Sequence, residues 1–137
     1  MQLEEQIVIF APAQKVFAMY ATVGSWSIWD PEVKAASIDG AFAAGATGTL
    51  EPAHGPKAKI VITQVETNRA FTAQRKLPLC TMRVEHELLE NAGKTTVVHR
   101  VVFRGLLAPL FGLLVGGPLR KSMPRTLRGL KRIAEIY

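Results

Sequence analysis

Hydrophobic residues recur along this chain with two different periods, one typical of strands and the other typical of helices. The first segment, residues 2–10, is rich in β-forming side chains and stops before Pro12, which suits a first helical turn. The apolar residues that come next have helical spacing, at Val16, Phe17, Met19 and Tyr20. A second short helix is predicted to carry Trp26 and Trp29 and to end at Pro31.

The middle of the chain consists of short strand-like segments that are separated by turn residues. The predicted strands are Lys34–Asp39, Thr47–Glu51, Lys59–Glu66, Phe71–Leu77, Thr81–Leu89 and Thr95–Arg104. None of the connections is long enough for a crossover helix, so the sheet should be an antiparallel meander.

The last segment, Leu106–Tyr137, has helical spacing. One face of this helix is apolar and carries Leu119, Met123, Leu127, Leu130, Ala134 and Tyr137. Pro118 is predicted to start a second helical piece, and Pro124 falls in its first turns or kinks it. The predicted fold class is therefore α+β, with two short helices after the first strand and a long C-terminal helix.

Composition narrows the class of protein. A chain of 137 residues with 48% hydrophobic residues fits one globular domain, residues 1–137. A lone Cys80 excludes an internal disulfide and suits a reducing compartment. The segment Met1–Glu5 lacks the basic start of a secretory signal, and the apolar stretch 105–119 is shorter than a membrane span. We therefore predict a cytoplasmic protein.

The net charge of +6 arises entirely within residues 104–137, where seven basic residues face Glu135 alone. A solvated helix face accounts for this charge, and transient contact with an anionic membrane surface is the alternative. Because no nucleic-acid motif accompanies the basic residues, no nucleic-acid partner is predicted.

The order of elements and several short motifs resemble the SRPBCC superfamily, which includes START lipid-transfer domains, birch-pollen-allergen-like proteins and polyketide cyclases. The motifs are Ala11-Pro12, Val16-Phe17, Trp26, Trp29-Asp30-Pro31, the Gly45–Gly48 turn and the Leu127/Leu130 helix. The resemblance implies a helix-grip fold, in which a seven-stranded antiparallel sheet wraps around the long helix and encloses an apolar pocket. It also implies a mouth near residues 52–56, 77–80 and 105–109. Because such a fold hosts carriers as well as enzymes, it implies a pocket but no particular reaction.

Strand alternation predicts which side chains face that pocket. If residues 91–94 form a four-residue hairpin loop, His86 lies directly opposite His99. Pairing Leu77 with Cys80 then adds Phe71, Ala73 and Arg75 to the inner face. A turn at Asn68-Arg69 adds Ile60, Ile62, Gln64 and Glu66. The inner face should therefore carry a row formed by Glu66, Phe71, His86 and His99.

This register, together with the tryptophans and the long helix, defines a predicted ligand-binding set. It comprises Trp26, Trp29, Ile60, Ile62, Phe71, Arg75, Leu77, Met82, Val84, His86, His99, Val101, Phe103, Met123 and Leu127. The candidate catalytic residues among them are His86, His99 and Arg75. Two histidines and one glutamate lack the spacing of a zinc site, so no metal and no cofactor is predicted.

Each candidate also has a structural interpretation. The histidines could be neutral core imidazoles that bond to each other or to Glu66, instead of a polar anchor or an acid–base pair. The tryptophans could pack in the core, and Arg75 could be a rim cation instead of a group that binds an anion.

Three functional hypotheses follow. The first is a carrier or sensor of a small apolar ligand. The second is a cyclase- or dehydratase-like enzyme, in which His86 and His99 transfer protons and Arg75 holds a carbonyl or carboxylate. The third is docking on a membrane surface through the basic face of residues 120–132, with Leu106–Val115 inserting near the mouth.

Overall fold

The computed structural model of the protein describes residues 2–136, which form a seven-stranded antiparallel sheet and three α-helices. The strands are β1 (Gln2–Ile9), β2 (Val33–Ile38), β3 (Thr47–Pro52), β4 (Ala58–Glu66), β5 (Ala70–Leu77), β6 (Cys80–Asn91) and β7 (Lys94–Arg104). The helices are α1 (Ala13–Ala21), α2 (Trp26–Trp29) and α3 (Ala108–Ile136), with a 3₁₀ turn at Val23–Ser25 before α2. The strand order β1-β7-β6-β5-β4-β3-β2 makes a curled meander that packs against α3, as the helix-grip fold requires.

The predicted register of the three central strands is confirmed. His86 pairs with His99, and Leu77 pairs with Cys80. The β6–β7 connection is a two-residue turn, because Asn91 pairs with Lys94 and the residues between them, Ala92 and Gly93, have φ angles of 55° and 78°. Two successive positive φ values are typical of the hairpin turn whose twist matches that of the flanking strands.

The prediction that Gln64 and Glu66 face inward is wrong. The β4–β5 pairing shifts between Ile62 and Gln64, so Phe71 pairs with Val65 and Glu66 pairs with Ala70. One extra residue in a strand reverses the face of every side chain beyond it. Ile60 and Ile62 therefore point into the core, whereas Gln64 and Glu66 are exposed on the outer face.

The C-terminal helix is not divided at Pro118, contrary to the prediction of two helical pieces. α3 runs continuously from Ala108 to Ile136 with Pro118 and Pro124 inside it. Pro118 is exposed, so water can bond the backbone carbonyl that this proline leaves without an N–H partner. The last residue of the predicted stripe, Tyr137, lies outside the described residues.

Two clusters of buried side chains lie between the sheet and the helices. The first, which we call the aromatic end, is centred on Tyr20, Trp26, Trp29, Phe71 and Leu127. The second, the aliphatic end, contains Leu3, Cys80, Met82, Val101, Phe103, Ala108 and Met123. α3 approaches the aromatic end closely at Gly129, where an added Cβ would collide with the backbone carbonyl of Trp29.

Candidate functional site: an internal cavity

A cavity of about 220 Å³ lies between the concave face of the sheet, α2 and the middle of α3. Its lining comprises Tyr20, Trp26, Trp29, Asp30, Glu32, Val33, Leu50, Ile60, Phe71, Ala73, Gln74, Arg75, Met82, Val84, His86, His99, Val101, Leu119, Ser122, Met123 and Thr126. The cavity therefore joins the aromatic end of the core to the aliphatic end.

Most of the residues predicted from the strand register reach this cavity, but four do not. Ile62, Leu77, Phe103 and Leu127 are absent from the lining. Ile62, Phe103 and Leu127 are fully buried in the two clusters, and Leu77 packs against the aliphatic end. These four side chains lie on the inner side of the fold but support the cavity wall from behind.

The cavity wall does not include the mouth that the resemblance implied. Its wall includes none of the described residues in the segments 52–56, 77–80 and 105–109. The partly exposed lining residues come from the segment after α2, from β3, β5 and β6, and from the middle of α3. They are Glu32, Leu50, Ala73, Gln74, Arg75, Val84, His86, Leu119, Ser122 and Thr126. Arg75 is a partly exposed member of this lining, and its role as a rim cation stays a prediction.

The most buried polar contact in the cavity wall joins Tyr20 of α1 to His99 of β7. The Tyr20 hydroxyl lies 2.6 Å from His99 Nε2. Burial raises the pKa of Tyr20 well above its usual value, with the nearby Asp30 charge adding to the effect. Burial also lowers the pKa of His99 well below its usual value, with a smaller contribution from His86. The neutral hydroxyl therefore meets a neutral imidazole.

His86 has its own partner and does not bond to His99. Its ring stacks on Phe71, with centroids 3.9 Å apart and planes 6° from parallel, and its Nδ1 lies 3.2 Å from the Phe71 carbonyl oxygen. Because a carbonyl only accepts hydrogen bonds, Nδ1 must carry the proton and Nε2 is the basic nitrogen of the neutral ring. Burial lowers the pKa of His86 to about 4, so both histidines are neutral at pH 7.

The two rings stand edge to face, with centroids 4.5 Å apart. Neither ring uses the partners that the core interpretation predicted, since the hydrogen bonds go to Tyr20 and to the Phe71 carbonyl and not to the other histidine or to Glu66. The wall therefore satisfies one nitrogen of each histidine from within the protein.

The segment around α2 holds the other end of the lining in place. Trp26 Nε1 donates to the Tyr20 carbonyl at 2.9 Å. The Asp30 Oδ1 atom accepts from the Glu32 backbone N–H and from the Thr126 hydroxyl of α3, both at 2.9 Å. Burial raises the pKa of Asp30, and these two hydrogen bonds oppose that rise. Asp30 thus connects the end of α2 to α3.

Two buried donors in the cavity wall have no acceptor among residues 2–136. They are Trp29 Nε1 and Arg75 Nε. Buried donors in native proteins usually have a partner, so each of these groups could serve a ligand oxygen after a small shift of the side chain.

Tyr20 is the main residue that the sequence reasoning missed. It lies on the buried face of α1 with Val16 and Phe17, at spacings that the helical pattern already showed. A tyrosine on a buried helix face needs a partner for its hydroxyl, and that signal could have been combined with the two inward histidines. Within the described chain, no group of three histidine, cysteine or acidic side chains has the arrangement of a metal site.

The curled sheet, the long helix and the cavity between them together define a helix-grip protein with an internal cavity. A family model described as polyketide cyclase / dehydrase and lipid transport matches residues 1–135. The chain belongs to this family, which lies within the SRPBCC superfamily that the sequence resembles. No curated protein matches the sequence.

Solved structures support the same fold at low sequence identity. The Zhui aromatase/cyclase from Streptomyces sp. R1128 has a TM-score of 0.77 at 17% identity, over 98% of this chain and 93% of that chain. The protein TTHA0849 from Thermus thermophilus has a TM-score of 0.77 at 14% identity, over 99% of this chain and 98% of that chain. Norcoclaurine synthase from Thalictrum flavum has a TM-score of 0.73 at 11% identity, over 100% of this chain and 87% of that chain.

Proposed function

We propose that this protein binds a small apolar ligand in the internal cavity and acts as a carrier or sensor. The cavity itself carries this proposal, because apolar and aromatic side chains make up most of its wall. An engineered cavity of about 150 Å³ in another protein holds benzene. A volume of about 220 Å³ therefore suits a ligand of one or two rings, or a short branched chain.

The hydrogen bonds of the wall favour the same interpretation. Tyr20 and His99 satisfy each other, and His86 donates to a backbone carbonyl, so an apolar ligand beside them leaves no broken hydrogen bond. Trp29 and Arg75 add donors that a single ligand oxygen can use. A mainly apolar ligand with one acceptor group fits this wall best.

Native mass spectrometry, followed by solvent extraction, tests the proposal. We expect an apolar molecule to copurify with the wild-type protein. Ala73→Leu, which fills part of the cavity, should lower its occupancy, whereas Ala35→Leu on the exposed side of β2 should not. If no apolar molecule copurifies, and none of a panel of one- and two-ring compounds binds saturably, the proposal is wrong.

A second candidate is a cyclase- or dehydratase-like enzyme, and the basic Nε2 of His86 beside the Tyr20–His99 pair favours it. In such a reaction the neutral His86 ring would take a proton from carbon next to a carbonyl. Tyr20 would donate a proton to the oxygen that develops charge or leaves, and His99 would support that hydroxyl. Arg75 would hold a ketone or carboxylate oxygen.

Turnover of a linear poly-β-ketone thioester tests this second candidate. The double variant His86→Gln/His99→Gln should lose cyclisation while it still binds a one-ring apolar probe. A folded double variant with full turnover would rule out the acid–base role.

We also propose a cytoplasmic location, because the free, buried Cys80 suits a reducing compartment.

A further inference from the structure

The first half of α3 and the turn before it are apolar on every side. Residues 105–119 include no charged or polar side chain. The inner side, with Phe111, Val115 and Leu119, packs against the aliphatic end of the core. The outer side presents four leucines to solvent, namely Leu106, Leu110, Leu113 and Leu114. A helix with this composition is normally covered on all sides, so its outer side is an unpartnered surface.

A fifth exposed leucine joins this surface from the β5–β6 turn. The Leu79 carbonyl accepts from the Leu107 backbone N–H at 3.0 Å, which holds the turn against the start of α3. Leu79 has a φ angle of 52°, in a region that leucine rarely adopts. We call Leu79, Leu106, Leu110, Leu113 and Leu114 the leucine surface. Its members are between 47% and 80% exposed.

The chain segments that build the leucine surface carry only positive charges. Residues 67–84 and 91–134 contain no aspartate or glutamate. The exposed basic neighbours of the surface along the chain are Lys76, Arg104, Arg120 and Lys121. Within residues 2–136 none of these four forms a salt bridge, whereas Arg125 and Lys131 farther along α3 are paired with Glu32 and Glu135.

This combination of apolar side chains and unpaired cations identifies the partner by its chemistry. A bilayer with anionic headgroups offers hydrocarbon to the leucines and negative charge to the cations. A second copy of the chain would bring the same cations face to face, and that repulsion disfavours self-association. No helix in the described part of the chain is long and apolar enough to cross a membrane, so the contact would lie in the plane of the surface.

We propose that the leucine surface docks the protein on an anionic bilayer, with the first half of α3 at the boundary between headgroups and hydrocarbon. Leu119, Ser122 and Met123 line the cavity in the next turns of the same helix. An apolar ligand would therefore enter or leave the cavity beside the bilayer. This transfer step rests on the proposed function, but the docking itself does not.

Vesicle flotation tests the docking directly. Wild-type protein should bind vesicles of equal parts phosphatidylcholine and phosphatidylglycerol, and should bind vesicles of phosphatidylcholine alone much more weakly. Leu113→Ser/Leu114→Ser should lower the affinity by at least about tenfold, since the bilayer would no longer bury these two exposed leucines. Arg120→Ala/Lys121→Ala should lower it by at least about tenfold and should remove about half of its dependence on salt, because Lys76 and Arg104 remain.

A matched control replaces two exposed apolar residues on β1 and β6, away from the leucine surface. Val8→Ser/Leu89→Ser should bind the vesicles like wild type. The proposal is overturned if this control loses binding as strongly as the leucine variant, or if wild-type binding does not depend on phosphatidylglycerol. It is also overturned if sedimentation shows a dimer that the leucine variant dissociates while vesicles bind neither protein.

The cavity-filling variant separates this proposal from the proposed function. Ala73→Leu should still bind the anionic vesicles like wild type, because Ala73 lies inside the fold. If ligand binding fails in every assay but vesicle binding follows the leucine surface, the docking stands and the carrier function falls.

Discussion

The aromatic end and the aliphatic end of the cavity are built on different principles. At the aromatic end, each histidine has a hydrogen-bond partner within the protein and Tyr20 contacts both rings. At the aliphatic end, Met82, Val101 and Met123 belong to a cluster of apolar side chains, against which Phe111, Val115 and Leu119 of α3 pack. From this difference we expect the aromatic end to be the more rigid of the two.

The largest expected effect is a loss of stability at the aromatic end. Phe71→Ala removes a fully buried ring that contacts Tyr20, Trp26, Phe42 and His86, so it should lower the free energy of unfolding by about 3–5 kcal/mol. Met82→Ala at the aliphatic end should cost less, about 2 kcal/mol, because a methionine side chain loses fewer buried atoms than a phenylalanine side chain does. Chemical denaturation measures both values. Equal losses would contradict the distinction between the two ends.

The second effect is a dependence of stability on pH that only the aromatic end produces. Burial depresses the pKa values of His86 and His99, so the folded protein binds fewer protons than the unfolded chain. The free energy of unfolding should therefore be nearly flat above about pH 6.5 and should fall below it, with His86 alone contributing a loss of about 2 kcal/mol at pH 5 and His99 adding to that loss.

Denaturation curves for the wild type and for His86→Gln/His99→Gln, taken at pH 7 and pH 5, check this prediction. The double variant should lose most of the difference between the two pH values. His54→Gln, in the exposed β3–β4 loop, is the control and should keep it. If the double variant behaves like the control, the rings are not shielded from water.

A smaller effect should come from the hydroxyl of Tyr20. Tyr20→Phe keeps the ring but leaves His99 Nε2 without its partner in a buried site, which should cost about 1–3 kcal/mol of stability. Nitrogen-15 NMR of the histidine rings should show a change at His99 and little change at His86. Equal shifts at both rings would mean that the Tyr20–His99 hydrogen bond is not the one that holds the ring.

The smallest expected effect is the change in stability when exposed leucines in the first half of α3 are replaced. Leu113→Ser/Leu114→Ser should change the free energy of unfolding by no more than about 0.5 kcal/mol, because both side chains are exposed. Thermal denaturation without vesicles checks this value. A large loss of stability would mean that these leucines support the fold, and their effect on vesicle binding would then need no membrane contact.

The sequence predicted some strand pairings of the cavity wall and not others. The β6–β7 hairpin was predictable because a short polar and glycine-containing turn joins two alternating strands, and it fixed His86 opposite His99. The bulge in β4 was not, because Ile60, Ile62 and Gln64 alternate without a break and no glycine or proline interrupts them.

The other features that the sequence did not predict depend on tertiary packing. Tyr20 reaches His99 because α1 packs on the sheet at β6, next to β7, and the spacing of residues within α1 does not encode that packing. The apolar character of residues 105–119 was visible in the sequence, but the division between leucines that pack inward and leucines that face solvent depends on how α3 lies on the sheet.

Energy transfer from tryptophan to a cavity ligand tests the central claim most directly. The chain has two tryptophans, Trp26 and Trp29, and both line the cavity. Titration with dansylamide, a two-ring compound that absorbs tryptophan emission, should quench that emission saturably at one molecule per chain. Ala73→Leu should weaken the binding and Ala35→Leu should leave it unchanged. Linear, non-saturating quenching that is the same in all three proteins would contradict the existence of a functional apolar binding site.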